Sequence, residues 1–198
     1  MKRAFAASTV LLVCLLWASP AAAIPITYDF EDFADSTDVA ALTAPLGTTL
    51  TVGGATVASA GISLNDIDYP PLSGLNAVYN SGDAVTIGFS TAVNSLSAFF
   101  TYLAPVTLTA YFNGAAIGSV TGAFDANYVS SGNNPNEFLE LAGLGVFNSV
   151  TIATGFGAGS FVFDNLTVDV PDSSNVPEPG TLSLMALGGV ALLRRRRK

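Results

Sequence analysis

Between Ile24 and Val170 the apolar residues tend to alternate with polar or small ones, and no stretch shows the spacing of a convincing amphipathic helix. Val85, Ile87 and Phe89 fall on one side of an extended chain, with Thr86 and Gly88 between them. Val106, Leu108 and Ala110 do likewise around Thr107 and Thr109. Period two, carried by β-branched and aromatic residues, predicts half-buried strands. Leu50–Val57 reads as a hairpin through Gly53-Gly54, and Tyr111–Ile117 as a second through Asn113-Gly114. Further strands are expected near 26–30, 76–80, 95–103, 137–141, 147–153 and 160–170. In the last of these the phase slips: Phe161 and Phe163 are odd, while Leu166, Val168 and Val170 are even. A bulge or turn at Asp164-Asn165 would account for the slip. About ten short strands predict an all-β domain, a two-sheet antiparallel sandwich of jelly-roll-like topology, with an immunoglobulin-like sandwich as the alternative.

The two ends break the pattern. Met1-Lys2-Arg3 leads into an apolar run from Ala4 to Trp17, and Ala18-Ser19-Pro20 leads into Ala21-Ala22-Ala23. This is the layout of a secretory signal peptide over residues 1–23, with cleavage expected after Ala23 and export through the Sec translocon. The run is short of the ~20 residues of a comfortable bilayer span, which disfavours the alternative of an uncleaved anchor. Cys14, the chain's single cysteine, lies inside the run behind Val13, where lipidation would require a small residue. The mature chain is therefore expected to hold no disulfide.

At the other end, Val176-Pro177-Glu178-Pro179-Gly180 precedes an almost wholly apolar stretch from Thr181 to Leu193, and Arg194, Arg195, Arg196, Arg197 and Lys198 follow. The two prolines keep their segment extended and free of backbone pairing, so an enzyme's cleft could hold it. As a transmembrane helix the apolar stretch would run ~20 Å, against a hydrocarbon core of ~30 Å. The five cations would hold its end on the cytoplasmic side. Such a tether suits removal better than permanence.

Pro177-Glu178-Pro179, a short apolar helix and an Arg cluster, in that order, resemble the PEP-CTERM sorting signal. That resemblance implies an exported substrate of exosortase, a membrane-embedded cysteine transpeptidase-like enzyme of Gram-negative bacteria that make exopolysaccharide. It further implies processing at or near the motif. The protein would be anchored transiently in the inner membrane, then released to the cell surface or to the extracellular matrix of a biofilm. A plain C-terminal membrane anchor is the alternative. The chain then divides into a signal peptide (1–23), a β-sandwich ectodomain (24–170), a polar linker (171–176) and a sorting signal (177–198). An opening such as Ile26–Phe33 and a closing Phe161–Val168 also resemble PEP-CTERM ectodomains, many of which are similar to galactose-binding or carbohydrate-module sandwiches. In modules of that kind the first and last strands often share a structural Ca²⁺.

Charge narrows the chemistry. All seven Lys and Arg lie at the two ends, so residues 4–193 carry all 15 carboxylates and no base. Repulsion from phosphates argues against nucleic-acid binding by the body. With no His, Ser-His and Cys-His catalysis and His-ligated metals are excluded. Asp29, Glu31, Asp32, Asp35 and Asp38 form an acidic cluster with no internal cation to pair with. Such carboxylates must be solvated, hydrogen-bonded or bound to an external cation. Calcium takes six to eight oxygen ligands, so Asp29, Glu31 and Asp32, with Asp164 from the last strand, are the candidate calcium site. The alternative is an acidic surface beside an ordinary bulge. Asn65-Asp66-Ile67-Asp68 is a second oxygen cluster, or a plain loop before Pro70-Pro71.

Tyr69, Tyr79, Tyr102, Tyr111 and Tyr128 could offer flat faces to sugar rings, or could simply pack in the sandwich. Tyr128 is the best placed for a polysaccharide, with Asn127 beside it and a polar loop after it. Glu137 and Glu140 stand an odd number of residues apart in a predicted strand, hence on opposite faces, which suits a glycosidase pair poorly. Gly143-Leu144-Gly145 and Gly155-Phe156-Gly157 open no helix and are not phosphate loops. The expected function is non-enzymatic: an exported, surface-sorted protein. A calcium-assisted carbohydrate-binding module is the alternative, and a polysaccharide hydrolase the third reading.

Overall fold

The structure, a computed structural model, describes residues 23–43 and 48–171. The signal sequence before Ala23, the sorting motif Pro177-Glu178-Pro179, the apolar stretch after it and the cations Arg194–Lys198 lie outside the described residues. Ala23–Pro171 forms one compact unit. Its strands in chain order are β1 (Ala23–Tyr28), β2 (Ala41–Thr43), β3 (Thr49–Gly53), β4 (Ala55–Ser59), β5 (Asn76–Asn80) and β6 (Ala84–Val93). They continue with β7 (Ser95–Tyr102), β8 (Thr107–Phe112), β9 (Ala115–Thr121), β10 (Glu137–Leu141), β11 (Phe147–Ala153) and β12 (Phe161–Pro171). A short 3-10 turn occupies Val129–Ser131.

Two six-stranded antiparallel sheets result, a sandwich of jelly-roll-like topology. The first runs β10-β7-β12-β5-β4, with β1 also paired to β12. The second runs β2-β3-β6-β11-β8-β9. Alternation decides which side chains fill the space between them. Val57, Val78, Leu96, Phe100 and Phe163 come from the first sheet, and Leu50, Ile87, Leu108, Val150 and Ile152 from the second. Phe163 anchors the layer, with its ring centroid 5.9 Å from Phe100 and 5.8 Å from Phe30, the latter edge-on. Each such buried ring contributes roughly 1.5–3 kcal/mol of transfer free energy.

The long strand β12 is the spine of the first sheet. It keeps β7 on one side throughout, while on the other it pairs first with β5 and then with β1. Between those partners its register against β7 steps from Asp164↔Phe99 to Thr167↔Ser97, three residues against two. Asn165 sits there at φ +51°, so the predicted bulge is present and restores the inward phase for Leu166, Val168 and Val170.

The Asn113-Gly114 hairpin forms as expected, joining β8 to β9 with both turn residues at positive φ. The Gly53-Gly54 hairpin does not. β3 pairs with β2 and β6 in one sheet, whereas β4 pairs with β5 in the other. Val52, Ala55 and Val57 all bury into the same core, so the chain crosses between the layers there instead of folding back. Gly54, at φ +74° and tight against the Ala84 carbonyl, turns that corner.

Candidate functional site

A domain without bases must neutralise its carboxylates by other means, and the first sheet shows how. The side chain of Asp164 points away from the main core, opposite in phase to Phe163, yet is only 1% exposed because the loop before β5 closes over it. Its Oδ2 accepts from the Ser73 N–H at 2.9 Å and its Oδ1 from the Asn165 N–H at 2.6 Å. Burial pushes its carboxyl above the ordinary aspartate value and the Glu31 charge adds to this, while the Ser73, Asn165 and Leu72 N–H groups oppose it. Glu31 grips the same loop by the next amides, Leu75 N–H at 3.0 Å and Asn76 N–H at 2.9 Å. Gly74 lies between them at φ +54°, and a Cβ there would run into the Glu31 carboxylate. Two carboxylates thus hold one loop by its backbone N–H groups, where another protein would use Lys or Arg.

This arrangement bears on the expected calcium ligands. Among the described residues no three acidic side chains group as a metal would need. Of the expected ligands, Glu31 and Asp164 are drawn to the Leu72–Asn76 loop and spend their oxygens on it. Asp29 accepts only the Glu31 N–H, at 3.3 Å, and Asp32 stands apart without a hydrogen bond among the described residues. The rest of the cluster is similarly occupied. Asp35 accepts from the Ser59 N–H at 2.8 Å and from the Ser63 and Ser36 hydroxyls, and Asp38 from the Thr56 hydroxyl at 2.7 Å. The Ser63 hydroxyl and Ser59 N–H hold Asp35 below the usual carboxylate range.

The tyrosines divide by parity. Tyr102 shares the inward phase of Leu96, Ala98 and Phe100 and is fully buried, donating its hydroxyl to Glu137. It offers no face to a sugar. Asn127 is a correction: its side chain is 0% exposed, with Oδ1 accepting from the Tyr102 N–H at 2.7 Å and Nδ2 donating to the Phe100 carbonyl at 2.8 Å. The amide thereby imitates a neighbouring strand along β7 and is consumed by the fold.

Tyr128 is half-buried and stacks on Tyr69, with ring centroids 6.0 Å apart and planes 19° from parallel. Asp68 holds the two loops together, since its Oδ1 accepts from the Ser130 N–H at 3.0 Å and the Ser130 hydroxyl at 2.5 Å. Those bonds keep the Asp68 carboxyl below the usual range. Burial, with the charges of Asp68 and Tyr128 adding, pushes the Tyr69 hydroxyl up to about 12. Tyr69 in turn forms one wall of a groove of about 220 Å³ on the outer side of the first sheet. Tyr79, Ser63 and Asn65 complete its sides, and Ala58 and Val162 lie in its floor. Sequence reasoning singled out Tyr128, but the tyrosines that line the groove are Tyr69 and Tyr79.

The second sheet presents the opposite surface. Its six strands contain not one charged residue. Register places Gly53, Thr86, Thr151, Thr109 and Ser119 in one row across five strands. A shallow groove of about 390 Å³ runs over Thr51, Thr86, Gly88, Ser149 and Thr151.

Glu137 and Glu140 occupy opposite faces of β10. Glu137 points to Tyr102 and accepts the Ala123 N–H at 3.0 Å, while Glu140 is exposed on the side of Phe138. Asn76 and Asn80 were not foreseen. Asn76 ties β5 to the Phe30 and Phe33 carbonyls, and Asn80 Oδ1 accepts from both Ser160 and Phe161 N–H groups. Their signal was present in the sequence: asparagine is depleted in strands, yet one stands at each end of Asn76-Ala77-Val78-Tyr79-Asn80.

Residues 175–198 match the PEP-CTERM protein-sorting motif. No curated protein matches the chain. Among solved structures, the K2 cleaved adhesin domain of Lys-gingipain is similar over 73% of this chain and 99% of its own, at 12% identity and a TM-score of 0.42. A family 11 carbohydrate-binding module from Clostridium thermocellum, in complex with a β-1,3-1,4-mixed-linked tetrasaccharide, covers 76% of this chain and 96% of its own, at 12% identity and a TM-score of 0.33. The family 11 module of the cellulosomal cellulase Lic26A-Cel5E of the same organism covers 76% and 95%, at 14% identity and a TM-score of 0.34.

Proposed function

We propose that this chain is an exported, non-enzymatic protein delivered to the cell surface or the exopolysaccharide matrix, after processing at Pro177-Glu178-Pro179 by an exosortase-type enzyme. The observation that carries the proposal is the sorting motif matched over residues 175–198. In this reading Pro177-Glu178-Pro179 is the recognition element, and the apolar sequence and cations that follow it would keep it at the membrane while the enzyme acts. The ectodomain contributes no catalytic machinery to this reading. Glu31, Asp35, Asp38, Asp68 and Asp164 are engaged by backbone amides or hydroxyls, and Glu137 and Glu140 face opposite ways.

The test is the intact mass of protein collected from the host's surface fraction. A chain ending near residue 179 is expected, and alanines at Pro177, Glu178 and Pro179 should leave the tail attached. Intact tails in the unaltered protein would mean a permanent anchor.

A second reading, an ectodomain that binds polysaccharide, is favoured by the aromatic groove on the first sheet. That groove is built without the carboxylates of Asp29, Glu31, Asp32 and Asp164, so this reading does not depend on calcium.

A further inference from the structure

We infer that the groove between Tyr69 and Tyr79 is a binding site for an uncharged glycan chain, with Tyr128 as the residue that positions Tyr69. The inference rests on the second reading above and gives it a place and a ligand class.

Three observations carry it. First, the walls are aromatic and the floor is apolar: Tyr69 and Tyr79 stand over Ala58 and Val162, themselves part of a small satellite core with Leu64 and Ala77. The C–H faces of a sugar ring match such walls. Second, several polar groups at the rim are free, although the Ser63 hydroxyl is taken by Asp35. Among the described residues the hydroxyls of Tyr69, Tyr79 and Tyr128 make no hydrogen bond, whereas that of Tyr102 does. Asn65 uses its Nδ2 on Asp68 and leaves its Oδ1 open. These are the directional donors and acceptors that a ring of hydroxyls requires. Third, size and charge select the ligand. At about 220 Å³ the groove is smaller than the roughly 300–1,000 Å³ of an enclosed small-molecule pocket. It therefore suits one or two rings of a chain that continues past it over the surface.

Asp66 and Asp68 stand in the same loop, and residues 4–193 offer no cation to an acidic sugar. A uronic-acid or sulfated polymer is repelled and a neutral hexose polymer is not. Tyr128 acts through Tyr69. Its stacked ring and the Asp68–Ser130 bonds fix the wall at the angle the groove needs.

The experiment is affinity electrophoresis of the protein purified from its host, in gels containing a neutral glucan, galactan or mannan, the host's own exopolysaccharide, or polygalacturonate. Retardation by at least one neutral polymer and none by polygalacturonate is expected. Tyr79→Ala and Tyr69→Ala should each weaken binding at least about tenfold, the loss of a stacked aromatic face. Tyr128→Phe should keep it, and Tyr128→Ala should weaken it less than Tyr79→Ala. Melting curves accompany each variant, and Tyr79→Leu replaces any alanine variant that unfolds. Neutral-polymer binding untouched by both groove variants would overturn the site while leaving the polysaccharide reading standing. Preferred binding to polygalacturonate would overturn the ligand class. No retardation by any polymer would overturn both the site and the reading.

Discussion

The outer side of the β7-β12-β5-β4 sheet lies beneath two loops, whereas that of the β3-β6-β11-β8 sheet is bare. Both are built from the same alternating strands, and both turn Thr, Ser and small residues away from the main core. On the first, Asp164, Glu31 and Asp68 take hold of loop amides, bringing residues 60–75 over Ala58, Ala77 and Val162, while Asn127 reaches from its own loop to the Tyr102 N–H and Phe100 carbonyl and holds residues 122–136 beside β7. On the second no charged side chain exists to hold anything, and the rows of hydroxyls meet solvent. In a body that lacks cations, a carboxylate finds its partner in the peptide backbone. Asp164 on β12, Glu137 on β10 and Asn76 on β5 each have a loop brought to them.

The comparison can be broken most forcefully at Asn127. Asn127→Ala would strand the Tyr102 N–H and the Phe100 carbonyl in the interior and should cost about 3 kcal/mol, read from chemical denaturation. The matched change on the bare side, Thr151→Ala, should move stability by no more than about 0.5 kcal/mol. Similar losses at both sites would mean that the loops are not held as described.

A smaller effect follows from acid. The folded-state values of Asp35 and Asp68 lie below the ordinary 3.8, so the stability they contribute is complete above that value and is lost as pH falls through the folded values. Asp164 runs the other way: its raised value makes its charge a burden near neutrality, relieved as pH falls toward 3.8. Asp68→Asn should therefore flatten the acid limb of a stability–pH curve, and an unchanged limb would remove Asp68 from the loop clamp. The smallest effect is expected at Gly88. It has an ordinary strand conformation with open space where a Cβ would go, so Gly88→Ala should stabilise by about 0.5 kcal/mol. A loss instead would show that the bare side is less open than its geometry implies.

Much of the sandwich was legible in the sequence because a half-buried strand announces itself by parity. The same parity marked the bulge before Leu166 and would have placed Tyr102 inside with Phe100. Pairing was less legible. Gly53-Gly54 shows that the chain turns, but not that β3 and β4 part into different layers, because the core they share is assembled from distant strands. The groove was legible only in part, since Tyr128 meets Tyr69 across 58 intervening positions by way of an Asp68–Ser130 contact that no local pattern encodes. Asn127 misled for a related reason. A polar residue in a polar loop looks free until the strand edge it imitates is known.

The base-free body has a consequence for its survival outside the cell. The loops around Ile62 and Ile67 stand well into solvent, where endopeptidases usually make their first nick. An enzyme that cuts after Lys or Arg, however, meets no substrate anywhere from residue 4 to residue 193. Reagents aimed at lysine amines find nothing to modify there either. Holding loops with carboxylates and amides alone leaves an ectodomain that trypsin-like digestion cannot shorten.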